Sequence, residues 1–194
     1  MKLIDRNEHG PIHRFGDHHV YRALNHLSDR GRMGRRSLAD GIGIGEGSIR
    51  TVIESLRDRG FVDIKQTGIQ ITKDGRRFLE EIPLAIRRIP PSDISLSDFN
   101  VAVRVKGFSS MITSGIHQRD SAIKAGADGA TTIVVVNGHL MIPLNYNLDE
   151  NQPEDAAVLR QSFDLKEGDV VIIGTARNWN DAENGALAAA LGLL

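Results

Sequence analysis

Residues 37–62 read SLADGIGIGEGSIRTVIESLRDRGFV, and the fold turns on the two glycine breaks inside them. Ile49, Val52, Ile53 and Leu56 recur at i, i+3, i+4 and i+7. That spacing predicts a helix from about Glu46 to Arg59 with one apolar face. Gly60 follows as a residue able to take the left-handed conformation that ends a helix. Upstream, Leu38, Ala39 and Ile42 predict a short helix over 37–42 with Ser37 as its N-cap, and Gly43-Ile44-Gly45 supplies the turn. Two short helices around a tight turn make a helix-turn-helix.

The flanks extend it. Val20, Leu24 and Leu27 after Asp17, a plausible N-cap, predict a helix over 17–29. It is broken by the basic stretch Gly31–Arg36, which holds Arg32, Arg35 and Arg36 close to Arg30. Residues 61–65 and 69–72 alternate as two strands around Thr67-Gly68, and a helix from about Asp74 carries Phe78, Leu79 and Ile82. This order is that of a winged helix-turn-helix domain, assigned to 1–88. Residues 89–98, with Pro90, Pro91 and a Ser/Asp-rich run, read as a linker. A second domain, 99–194, is expected to contain strands 100–106, 130–136, 139–144 and 169–174, the middle pair joined by Asn137-Gly138. Helices are expected at 115–125, 153–163 and 181–191, with an acidic loop before the second. The class is α+β: a winged helix followed by a small α/β sandwich whose β-α-β-β-α-β order, plus one helix, suggests a ferredoxin-like arrangement.

Composition narrows the function. The chain has no cysteine, which removes disulfides, zinc ribbons and thiol chemistry. No apolar run is long enough for a membrane span, and MKLIDRNEHG lacks the apolar core of a signal peptide, so a cytoplasmic location is expected. Residues 1–82 carry 15 Lys+Arg against 12 Asp+Glu, and 83–194 carry 9 against 13. The positive half is the helix-turn-helix half. There is no phosphate-binding loop, dinucleotide fingerprint, zinc-protease motif or nucleophile elbow, so neither enzyme activity nor a cofactor is expected.

The face of the third helix opposite its apolar stripe holds Gly47, Arg50, Thr51, Glu54 and Asp58, flanked by Ser48 and Ser55. In a major groove, Arg50 suits guanine, Glu54 the amino group of cytosine and Thr51 a thymine methyl, while Ser48 suits phosphate. Arg35 and Arg36, and Lys65, Gln66 and Thr67 at the wing tip, are expected on the DNA backbone. Glu54 and Asp58 weigh the other way, since phosphate repels carboxylates. The run Ser37-Leu38-Ala39, Gly43 through Arg50, Leu56 and Gly60-Phe61-Val62 resembles the winged-helix domains of many bacterial and archaeal regulators. That resemblance implies double-stranded DNA as partner and, for palindromic sites, a homodimer.

In the second domain, Asp120 falls on the predicted stripe of Ile116, Ile123 and Ala127, where a carboxylate needs a partner such as Arg119, Lys124 or Arg104, or a ligand. The turn Thr175-Ala176-Arg177-Asn178 before the last helix, with Asn180 and Glu183 as a capping box and Trp179 beside it, could hold a small-molecule effector. Residues 131–136 are apolar on both faces, as in a sheet centre. The small-residue helix 186–194 suits core packing or a dimer contact. Gly115 through Thr132, with Glu183 through Ala190, resembles a domain of unknown function that follows a winged helix in archaeal proteins, which implies an archaeal transcription regulator. Three further readings remain open, one of them a small-molecule enzyme. A winged helix can serve as a protein-interaction module of a larger complex, and His9, His13, His18 and His19 could make a regulator metal-responsive.

Overall fold

The computed structural model describes residues 15–194, which form two units, one ending at Ile82 and the other spanning Pro83–Leu194.

The first unit is built from α1 (Asp17–Arg30), α2 (Arg35–Ile42), α3 (Glu46–Asp58), the hairpin β1 (Val62–Lys65) and β2 (Gly68–Ile71), and α4 (Lys73–Glu81). Ile49, Val52, Ile53 and Leu56 are each at most 2 % exposed, so the predicted stripe is the buried face of α3. Burying each such side chain is worth roughly 1.5–3 kcal/mol. Gly60 adopts φ 75°. Its N–H donates to the Arg57 carbonyl at 2.8 Å while that of Phe61 reaches the Leu56 carbonyl at 2.9 Å. That double closure redirects the chain into β1. Helix starts differ from expectation in two places: Gly16 rather than Asp17 caps α1, and Gly34 rather than Ser37 caps α2, so Arg35 and Arg36 are the first helical residues of α2. Phe61 and Phe78 stack at 4.6 Å, pinning α4 to the root of the hairpin.

The second unit is a six-stranded antiparallel sheet in the order β3-β4-β8-β5-β6-β7. Its elements are β3 (Leu84–Ile89), β4 (Phe99–Val105), α5 (Ile116–Lys124), β5 (Gly129–Val136), β6 (His139–Ile142), β7 (Tyr146–Asn147), α6 (Leu148–Asn151), α7 (Pro153–Ser162), β8 (Val170–Ala176) and α8 (Trp179–Leu191). Helices α5 and α8 cover one face, and α6 and α7 the other. Every residue of β8 is buried because that strand is central and covered on both sides. The α+β class is as expected. The strand order is not ferredoxin-like: that fold would place β6 between the parallel strands β4 and β5, whereas β8 lies there.

Residues 84–98 also differ from expectation. Residues 84–88, assigned to the first domain, form β3 with Ile89 and pair along β4 from Leu84↔Val105 to Ile89↔Asn100. Prolines at 83 and 90 are tolerated there because β3 is an edge strand. The expected linker is likewise held by the second unit: the Ser97 N–H donates to Thr175 Oγ1 at 2.8 Å, and Thr131 Oγ1 donates to the Ile94 carbonyl at 2.7 Å. The expected acidic loop contains β7 and α6.

Candidate functional site

The sequence segregates apolar and polar residues on α3, and α1 sets where that polar face points. Arg22 of α1 is 1 % exposed, and its guanidinium donates to the Ile42 carbonyl at 2.8 Å and the Gly41 carbonyl at 3.4 Å. These are terminal carbonyls of α2, so a buried cation satisfies the helix end that leads into α3. On the outer face Arg50 and Thr51 are exposed, and Ser48 and Glu54 are partly so. Arg50 Nε donates to Glu54 Oε1 at 3.0 Å, an i,i+4 ion pair. Arg57 likewise pairs with Asp58 at 2.8 Å. The two carboxylates that argued against a polyanionic partner are therefore each neutralised by an arginine, and the expected separate roles of Arg50 and Glu54 are coupled in one pair.

Arg35 and Arg36 are exposed at the N-terminus of α2, and Lys65, Gln66 and Thr67 are exposed at the hairpin tip, where Lys65↔Gly68 closes a two-residue turn. Sequence reasoning missed what supports that tip. Met33 bridges to Ile69 through two backbone bonds of 2.9 and 2.8 Å, adding a third strand segment to the wing. Arg32, expected to be part of a basic loop, donates instead to Thr67 Oγ1 and Gln70 Oε1. A Cβ on Gly68 would sit 2.8 Å from the Met33 carbonyl oxygen, so glycine is what lets the third segment approach.

In the second unit the expected effector residues do not form one site. Asp120 is not on a buried stripe: Ile116 and Ile123 are both 48 % exposed, and the inward face of α5 is Gln118 and Ala122. The stripe was misplaced because α5 buries small and polar residues against α8. Arg119 pairs with Asp120 at 3.1 Å, Lys124 is exposed, and Arg104 donates to the Asp164 carbonyl. Thr175 is buried and bonded to Ser97, and Asn178, not Asn180, caps α8 by accepting from the Asp181 N–H at 3.0 Å. Of the six, only Arg177 lines an open cavity of about 590 Å³, with Ser97, Asp98, Phe99 and Asp128 among its neighbours. Trp179 packs edge-on to Phe99 at 5.1 Å, under the Arg88 guanidinium at 4.4 Å. The small residues of α8 are core: Ala186, Leu187, Ala189, Ala190 and Leu191 are all buried.

A second open cavity, about 410 Å³, is lined by Asp93, Glu154 and Asp155. Burial first, and then the neighbouring Asp93 and Glu154 carboxylates, raise the Asp155 carboxyl above its ordinary value. His9 and His13 lie outside the described residues. His18 and His19 fall within α1, and among the described residues no cluster of three His, Asp or Glu is placed to hold a metal ion.

Residues 96–193, slightly more than half of the chain, match the profile of a domain of unknown function, DUF4443. The chain belongs to that family. Its DUF4443 stretch takes in the sheet from β4 onward with α5 through α8, and leaves β3 outside the match. Residues 18–86 match the profile described as CggR N-terminal DNA binding domain, which covers the winged helix. Among solved structures, a hypothetical protein, PH0730 from Pyrococcus horikoshii OT3, superposes with a TM-score of 0.70 at 24% identity, over 90% of this chain and 91% of that one. That likeness concerns the fold. No curated protein matches the chain.

Proposed function

We propose that this DUF4443 protein is a sequence-specific, DNA-binding transcription regulator. One observation carries the reading: the exposed polar half of α3 and the hairpin tip belong to a winged helix whose residues 18–86 match a DNA-binding domain profile. In this reading α3 enters the major groove. Arg50 reads guanine, with Glu54 orienting it through the 3.0 Å pair, and Thr51 meets the adjacent base edge. Ser48, Arg35, Arg36, Lys65, Gln66 and Thr67 hold phosphates. The DUF4443 unit acts as effector sensor, dimerisation module or both, in a homodimer. The protein works without a catalytic step and in the cytoplasm, and the archaeal structural neighbour favours an archaeal source.

The test compares two arginine variants on a selected duplex and on scrambled competitors. Arg50→Ala should cost about 1–3 kcal/mol on the preferred site and level the difference between sequences. Arg35→Ala should weaken binding on all sequences alike and reduce the salt slope by about 1. Indistinguishable variants would refute α3 as the reading helix.

A further inference from the structure

Residues 109–118 read SSMITSGIHQ, with no carboxylate among them. They enter α5 through Gly115, whose φ of 74° and ψ of −3° are left-handed and are followed at once by the right-handed helix. That succession turns consecutive backbone N–H groups toward one point. The N–H groups of Ile116, His117 and Gln118 have no acceptor within the helix. No side chain caps them, and no carbonyl accepts them among the described residues.

Beneath this helix start lies Thr132 of β5, 4 % exposed, its Oγ1 buried and without a hydrogen-bond partner among the described residues. That oxygen stands 3.2 Å from where a Cβ on Gly115 would sit, so the hydroxyl is directed at the first turn of α5 and a larger residue at 115 would crowd it. Gln118 is 9 % exposed and makes no hydrogen bond among the described residues. Helical side chains lean toward the N-terminus, which brings its carboxamide over the same turn. The acid that follows on α5, Asp120, is paired with Arg119 at 3.1 Å. The turn therefore gathers donors, and the chain supplies no acceptor for them. A buried hydroxyl without a partner opposes folding.

We infer that the start of α5 binds a phosphate-type oxyanion, either free phosphate or the phosphoryl group of a small ester, with the Thr132 hydroxyl and the N–H groups of residues 116–118 as donors. Three N–H groups, a hydroxyl and a carboxamide NH2 offer more donors than the roughly four acceptor sites of a carboxylate. A phosphoryl group brings three strong acceptor oxygens, and the positive end of the helix favours its charge. The inference deepens the reading of the DUF4443 unit as an effector sensor, and its regulatory meaning rests on that reading. The binding itself does not require DNA.

Amide NMR of the full chain without DNA tests it, with inorganic phosphate titrated while chloride holds the ionic strength constant. The amides of residues 115–118 should shift and saturate, whereas acetate in the same series should leave them unmoved. Methyl phosphate separates the two sources: saturation by it assigns a phosphoryl ester, and saturation by inorganic phosphate alone assigns the free ion. Thr132→Val should weaken binding at least about tenfold, through loss of one charge-assisted hydrogen bond. Because the same change removes an unpartnered hydroxyl, the valine variant without phosphate should unfold no more easily than the wild type. Thr132→Ser should restore binding. A wild type that never saturates, an equal response to acetate, or a valine variant that binds as the wild type does would each overturn the inference. So would a valine variant that is destabilised without phosphate, since the hydroxyl would then serve the fold. DNA affinity is not read in this experiment, so failure of the anion site and failure of the DNA reading register separately.

Discussion

His19 sits in the first turns of α1, 8 % exposed, with its Nδ1 accepting the Gly16 N–H at 3.0 Å. Burial first, and the nearby Arg22 cation second, lower its pKa from 6.5 to about 4. A protonated ring could not accept that bond, so the fold requires the neutral form. Between pH 4 and 6.5 the unfolded chain binds the proton and the folded chain does not. Stability is therefore full above about 6.5 and declines as pH falls toward 4, by up to about 3 kcal/mol. NMR titration of the imidazole in the full chain should find no protonation until well below pH 6. A midpoint near 6.5 would refute the assigned burial. The partner of Arg22 was not legible in the sequence, because an arginine on an amphipathic helix reads as solvated until the carbonyls it reaches are known. Asp120 erred the other way. Its helix is short and its buried residues are Gln118 and Ala122, so hydrophobic spacing selected the wrong face.

At the scale of the element, long periodic segments were the legible ones. α1 and α3 fall where their apolar spacing put them, α7 where Pro153 and its acidic first turn put it, and β5 where the run apolar on both faces put it, while Asn137-Gly138 forms its turn with both residues at positive φ. β3 was hidden by its flanking prolines and by Arg87-Arg88, which suit an edge strand but resemble a linker. The hairpin face of the candidate site was legible as composition, yet its bracing by Arg32 and Met33 depends on long-range pairing that spacing does not encode. Two elements carry predictions. A Cβ on Gly174 would collide with the Ala182 carbonyl and the Ala186 nitrogen. Gly174→Ala should thus push α8 off β8 and cost about 1–3 kcal/mol by denaturant unfolding, whereas Gly47→Ala, with open space around it, should cost nothing comparable. Asp149 ties α6 to β6 and α7, accepting the Leu140 N–H at 2.7 Å and the Arg160 guanidinium at 3.0 Å. Burial alone would raise its carboxyl, but those partners and His139 outweigh that and hold it below the ordinary value. Its contribution is present above the ordinary carboxylate pKa and lost as pH falls below it. Asp149→Ala should cost about 1–3 kcal/mol at neutral pH, and the difference from wild type should shrink in acid. An undiminished difference would remove the charged role.

For the whole molecule, class and domain order were legible from the alternation of periods along the chain, while strand order was not. Which of four strands enters the middle of a sheet depends on helix packing over both faces, and here the fully buried β8 takes the place that a ferredoxin-like order gives to β6. The central claim is that the winged-helix face reads duplex DNA. Binding of the full chain to a random duplex pool at about 50 and about 200 mM salt, with selection and sequencing, tests it most directly. The account predicts a recovered motif, two-fold symmetric if the protein binds as a homodimer, with affinity falling by about 10³-fold or more between the two salts if six or more phosphates are contacted. No binding at the lower salt would contradict it and leave the winged helix as a surface for another protein.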